Sequence, residues 1–377
     1  MSLGTVAVVG GGVIGQSVAW RAATAGHRVS LVDPAPGSGA SRVAGGMLAP
    51  LSEAWPGEED LLDLGRAALA HWPRFAARLT AATGGDPGLR TEGTVLVGLD
   101  SADRAELDRL AEHLAGLGHA PEKLTGRQVR ALEPGIGPEV RSGLLLAEDL
   151  SVDNRAVLAE LAEAGRRAGV EAVAGRAVAV RGNRIRLADG STVDADVVVL
   201  ACGAWSAGLH PSLHAVRPVK GEVLRLRARP SALPPPQRTV RALVQGRPSY
   251  LVPRAGGGLV LGATQYEAGH DTEVTVAGVR DLLRDAERVL PGIAEYALVE
   301  CAAGLRPGTP DNLPLIGWLE PGLVVATGHH RNGFLLAPIT AEAVLALLDD
   351  RPPPAPVLAA DPHRLALTRE PLSGVSR

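Results

Sequence analysis

Hydrophobic and polar positions divide this chain into two kinds of segment. Val6 to Val9 is a continuous, largely β-branched run, the pattern of a strand buried on both faces. Gly10-x-Gly12-x-x-Gly15 follows, then an apolar stretch that predicts a helix to about Ala25, stopped at Gly26. Arg28 to Val32 predicts a second strand, closed by Asp33. Helical periodicity recurs at Leu61 to Leu79 and Ala102 to Leu117, and Thr125-x-x-Gln128 is a capping box for a helix that stops near Pro134. Asn154 to Ala168 predicts a crossover helix. Residues 178–200 read as a hairpin turned at Gly182-Asn183, then a return to parallel sheet. Asp194 to Leu209 reads as a buried strand that opens through a glycine turn into a helix. From Glu222 to Ala263 the pattern changes to short strands broken by Pro and Gly, an antiparallel sheet in a separate domain. "LVVATGHH" then returns to the first domain, followed by a helix at Ala337 to Leu348, the Pro-rich linker "DRPPPAP" and a tail with little structure.

Composition narrows the function classes. With 377 residues and 46% hydrophobic content the chain supplies a large core, enough for two domains. A net charge of −3, with Lys123 and Lys220 the only lysines, gives no electrostatic case for nucleic acid or an anionic membrane. Cys202 and Cys301 make neither a disulfide framework nor a metal spacing. The strand and glycine loop begin almost at the first residue, leaving no room for a signal peptide, and no apolar run qualifies as a membrane span. A reducing cytoplasm is the expected compartment.

The chemistry starts at the glycines. A Gly-x-Gly-x-x-Gly between strand and helix, with an acid after the second strand, is a dinucleotide-binding fingerprint. The turn lets backbone approach a pyrophosphate, the helix N-terminus supplies amides, and Asp33 suits ribose hydroxyls. This leaves FAD and NAD undivided. A second focus is "CAAGLRPGTPDNLPLIG", residues 301–317, where Arg306 stands in an apolar setting. Either it pairs with Asp311 or backbone carbonyls, or it awaits an anion. Tyr250 reads as a strand aromatic and Arg331 as a loop charge. His329 and His330 are adjacent, a poor arrangement for one metal ion, and no metal is expected.

Taken in order, "VVGGGVIGQSVAW…VSLVD", "ASRVAGGMLAP", "VVLACGAWS", "VRPVKGEVL", "YLVPRAGGGLVLGAT", "GLRPGTPDNLPLIG" and "GHHRNGFLLAP" resemble the FAD-dependent D-amino-acid oxidase superfamily, and within it the glycine oxidases of the thiamine pathway. The resemblance implies an α/β fold in which a Rossmann-like FAD-binding domain (1–85, 148–220, 310–377) is interleaved with an antiparallel-sheet α+β substrate domain (86–147, 221–309). It implies that Val13, Ile14 and Gly15, with Gly10 and Gly12, lie under the pyrophosphate, and that Asp33 and Pro34 lie by the ribose. Ala40 and Ser41 would contact the cofactor, and Gly45, Gly46 and Met47 would pass beside the flavin. Val178 would hold the adenine, and a loop of His329, His330, Arg331, Asn332, Gly333, Phe334 and Leu335 would wrap the isoalloxazine. Tyr250, Arg306 and Arg331 match residues that face the substrate. Pro248 stands where a glycine oxidase that the chain resembles carries a histidine. No cysteine lies within "GLRPGT", where sarcosine oxidases link their flavin, so non-covalent FAD is implied. The implied reaction is oxidation of glycine to an imine, then glyoxylate and ammonia, with O2 reduced to H2O2. A D-amino-acid or sarcosine oxidase or dehydrogenase, and a non-catalytic flavin-binding subunit, remain as alternatives. A homo-oligomer is the family expectation.

Overall fold

The β-branched run forms the strand Thr5–Val9, paired in parallel with Arg28–Val32 on one side and Val197–Leu200 on the other. The computed structural model describes residues 4–367, and this trio is the centre of a six-stranded sheet. Glu171–Val173 completes one edge; Leu323–Thr327 and the antiparallel strand Leu315–Glu320 complete the other. The helices Val13–Thr24, Glu59–Thr83, Asn154–Arg167 and Gly333–Leu348 pack together on it around one core. The hairpin at Gly182-Asn183 forms as expected, with Thr192–Asp194 added as a third strand. The Thr125/Gln128 capping box is intact at the helix Gly126–Leu132.

The second sheet has eight strands, in the order Ala297–Gly308, Arg217–Arg227, Gly258–Gly262, Arg247–Pro253, Thr239–Val244, Thr94–Gly98, Ser142–Leu146 and Glu122–Thr125. It departs from the antiparallel expectation at one pair, Thr94–Gly98 with Thr239–Val244, which run parallel. Parallel strands need a long crossover, and the excursion of the chain through the other sheet provides it. The strand Arg217–Arg227 runs across the junction expected at 220/221, because its ladder already starts with Arg217 opposite Gly308. Beyond Val197–Leu200 the expected helix is replaced by two 3-10 turns, Gly203–Gly208 and Pro211–Leu213. Gly203 has φ +53° and Pro211 lacks an N–H, so a regular helix cannot run through this segment.

The last helix starts at Gly333, before the expected Ala337, and so takes in Gly333, Phe334 and Leu335 of the expected flavin loop. Pro338 inside it cannot donate to the carbonyl one turn back. The buried indole of Trp72 supplies the missing donor, with Nε1 3.1 Å from both Phe334 O and Leu335 O. Trp72→Phe keeps the ring packing and orphans the carbonyl of Phe334, which Pro338 cannot serve. It is expected to lower stability by about 1–3 kcal/mol, read as a lower urea midpoint at unchanged slope. Contrary to expectation, His330–Leu348 has the length and apolarity of a membrane span, but in the fold those side chains pack against the helices Val13–Thr24 and Glu59–Thr83. The Pro-rich linker leads into the turn Ala355–Ala360 and the short helix Arg364–Leu367, where Arg364 grips Asp311 through two bonds of 2.8 and 2.9 Å. The rest of the tail, 368–377, lies outside the described residues.

Candidate active site

A cavity of about 920 Å³ lies between the two sheets. At one end is the glycine turn. Gly10 has φ +104°, and a β-carbon there would sit 2.5 Å from Ala201 O. Gly12 caps the helix Val13–Thr24 with no side-chain bond and no acid in the first turn, so positive amide ends face the cavity. Ser41 Oγ accepts from Val13 N at 3.0 Å. Asp33 lines the cavity, and its carboxylate accepts from Gly11 N at 2.6 Å and Ala35 N at 2.7 Å, which fixes the turn. Ile14, Pro34, Ala40, Gly45, Gly46 and Met47 also line it, and Val178 does so at the outer end. Gly15 does not. It packs so closely on the Gly10 carbonyl that any side chain would overlap it, so its place is in the helix–turn contact.

At the other end stand Tyr250 and Arg306. Tyr250, on Arg247–Pro253, pairs with Gly262, and its ring covers both Gly262 and Gly45, which have no side chains to exclude it. Burial raises its phenol above the usual value, against the pull of Arg306, so the hydroxyl stays protonated as a donor. Arg306, near the end of Ala297–Gly308, lies over Gly221. Its Nη1 reaches the carbonyls of Thr264 at 3.3 Å and Lys220 at 3.5 Å, both long contacts. Among the described residues no carboxylate lies within ion-pair distance of it. Asp311, its proposed structural partner, is held by Arg364. The guanidinium faces the cavity with its charge unmatched among the described residues.

Arg331 also lines the cavity, and its Nε lies 3.0 Å from Glu53 Oε2, so its charge, unlike that of Arg306, is matched. Glu53 is bonded from its other side by Arg241 at 2.5 Å. Burial pushes the Glu53 carboxyl up, and Arg241 and Arg331 more than reverse this, keeping it ionised. Glu53 and Arg241 were not anticipated; they lie 188 positions apart, and no local pattern marks either. His329 is buried and bonded to Thr340 Oγ1 at 3.0 Å, and burial lowers its imidazole to about 3. Burial with Arg331 and Arg306 lowers His330 to about 4. Both rings are neutral at pH 7, and no cluster of three or more metal-type side chains occurs among the described residues. Asn332, Gly333 and Phe334 line the cavity as a turn and the first turn of a helix, where a loop was expected. Leu335 points its side chain into the core instead.

These residues fit a dinucleotide at the glycine end, with room for a small anion at Arg306. The volume is near the upper limit of ordinary ligand pockets, about 300–1,000 Å³. Comparison with known proteins agrees. Residues 5–347 match the family described as FAD dependent oxidoreductase. The glycine oxidase of Geobacillus kaustophilus is 34% identical over 355 residues, 91% of this chain and 92% of that one. The bifunctional protein ThiO/ThiG of Synechocystis sp. is 33% identical over 381 residues, covering 97% of this chain; the chain spans only 55% of that relative's length. The crystal structure of the Geobacillus enzyme superposes with a TM-score of 0.87 at 33% identity, over 95% of this chain and 98% of that one. A glycine turn, an acid and an open helix end in the matching order, continued by homology over nearly the whole chain, place this protein in the family of FAD-dependent oxidoreductases, with FAD as its cofactor.

Proposed function

We propose that this chain is a glycine oxidase: glycine, O2 and water give glyoxylate, ammonia and H2O2. The observation that carries it is Arg306, a cavity-facing guanidinium whose expected acid is occupied by Arg364. A planar fork takes a carboxylate through two bonds, and Tyr250 adds a third from its hydroxyl. FAD, when bound, accepts the hydride from the substrate α-carbon and delivers the electrons to oxygen. The protein's share is to hold the amino acid with that C–H bond aimed at the cofactor. No side chain need act as base if the amine enters neutral. The ion pair Glu53–Arg331 gives the cavity a polar wall that suits a substrate without an apolar side chain. Sarcosine and small D-amino acids form the second reading, since the same clamp would hold them.

We assign the glycine turn, Asp33, the wall from Ala40 to Met47 and the segment His329 to Phe334 to FAD, held without a covalent link. A role in building the thiazole of thiamine is part of the same proposal, supported by a relative whose name includes thiamine biosynthesis oxidoreductase ThiO; a cytoplasmic location and a homo-oligomer are proposed with it. The test is anaerobic addition of glycine, which should bleach the flavin, then air, which should release peroxide. Bleaching without peroxide would make the protein a dehydrogenase, and no bleaching would leave a flavin carrier. Asp33→Ala should raise the FAD dissociation constant at least about tenfold, through a lost charge-assisted bond and a loosened glycine turn, and leave turnover at saturating FAD near normal. Equilibrium dialysis checks the first part and steady-state kinetics the second.

A further inference from the structure

The wall between Ser41 and Gly46 is gripped from behind by its carbonyl groups. Asn154, the fully buried first residue of the helix Asn154–Arg167, donates Nδ2 to Ser41 O and Arg42 O, each at 2.9 Å. Its Oδ1 accepts from Arg225 Nη2 at 2.9 Å, and that same nitrogen lies 3.3 Å from Arg42 O. Arg254 Nη2 donates to Gly45 O at 2.6 Å, and Val152 N to Gly46 O at 2.8 Å. Arg225 lies on Arg217–Arg227 and Arg254 just after Arg247–Pro253, so two arginines of the eight-stranded sheet hold a segment of the other half. Arg155, close by, pairs with Glu300 at 2.7 Å and its Nε reaches Arg42 O at 3.3 Å; among the described residues the carboxylate paired with Arg254 is that of Asp153, at 3.6 Å. Burial lowers the Arg254 guanidinium to about 10, so it is charged at neutral pH.

A trans peptide carries its C=O and N–H on opposite edges. With the Gly45 carbonyl drawn to Arg254, the Gly46 N–H points the other way, as a donor on the cavity side of the wall. We propose that Asn154, Arg225 and Arg254 are positioning residues that set the Ser41–Gly46 wall, and through it the fit of the flavin. The inference rests on the reading that the flavin lies against this wall. It differs from a general cohesive role for the three side chains, which would make them matter to stability alone.

Asn154→Asp separates the two. The substitution keeps the size, places a negative charge beside Arg225 and Arg254, and adds an acid to the first turn of its helix, which offsets part of the stability lost when buried carbonyls are left without a donor. Toward Ser41 O and Arg42 O it replaces a donor with a repelling acceptor. The expected result is a folded protein with a modestly lowered unfolding midpoint, together with about tenfold weaker retention of FAD and a shifted visible flavin spectrum, which a merely cohesive role would not change. Holoenzyme dilution followed by ultrafiltration reads the retention. A folded Asn154→Asp with wild-type FAD retention and spectrum overturns the proposal. Should that variant fail to fold, Arg254→Lys carries the test, because it keeps the charge and shortens the reach to Gly45 O. Weaker retention of FAD supports the proposal, and unchanged retention ends it. If glycine fails to bleach the wild-type flavin while these variants lose FAD, the substrate assignment falls and the positioning role stands.

Discussion

Arg306→Lys is expected to lower the apparent affinity for glycine about ten- to a hundredfold, since losing the fork removes at least one charge-assisted bond of about 1.5–3 kcal/mol. Lysine keeps the charge, so a merely electrostatic or structural arginine would hardly register the change. The rate of flavin reduction should fall as well, because the substrate α-carbon loses its fixed position. FAD content and folding should stay normal, since Arg306 carries no ion pair among the described residues that the fold would miss. Stopped-flow reduction by glycine, wild type beside variant, decides the matter. Equal rates at equal half-saturation would return Arg306 to the structural reading.

The same clamp can be disturbed without touching it. Gly221→Ala places a methyl group where the Arg306 guanidinium now lies. The guanidinium is the flexible end of a long side chain, so it yields while the ladder between Gly221 and Gly304 stays paired. A shift of roughly 1 Å at a positioning group costs on the order of a hundredfold in reactivity. Gly221→Ala should therefore fold, bind FAD, and bleach with glycine at least tenfold less efficiently. Combined with Arg306→Lys the losses should not add, because both act through one contact. Full additivity in the double variant would mean that Gly221 acts elsewhere.

The cofactor end was legible because its signals are local. Turn, helix end and Asp33 fall within one βαβ unit, where spacing alone reports geometry. Arg306 was visible as an unusual residue, but whether Asp311 answered it depended on Arg364, more than fifty positions away. The charge on Arg331 is matched by Glu53, across an equally unmarked distance. The early start of the last helix was hidden by Pro338, a breaker by local rules, which Trp72 makes tolerable from another helix. The parallel pair in the second sheet was hidden for a related reason: the residues of Thr94–Gly98 do not say which partner, or which direction, they will find.

That sheet order also governs how the protein can be made. Strand Thr5–Val9 and helix Val13–Thr24 leave the ribosome first, yet the helix packs on Gly333–Leu348, and the sheet still lacks Leu323–Thr327. The eight-stranded half likewise waits for Ala297–Gly308, the strand that brings Arg306. Neither half can close as a unit during synthesis, so apolar faces stay open until most of the chain has emerged. A nascent chain stalled before residue 320 should thus hold no flavin and depend on chaperones, and the cofactor becomes a reporter of completed translation.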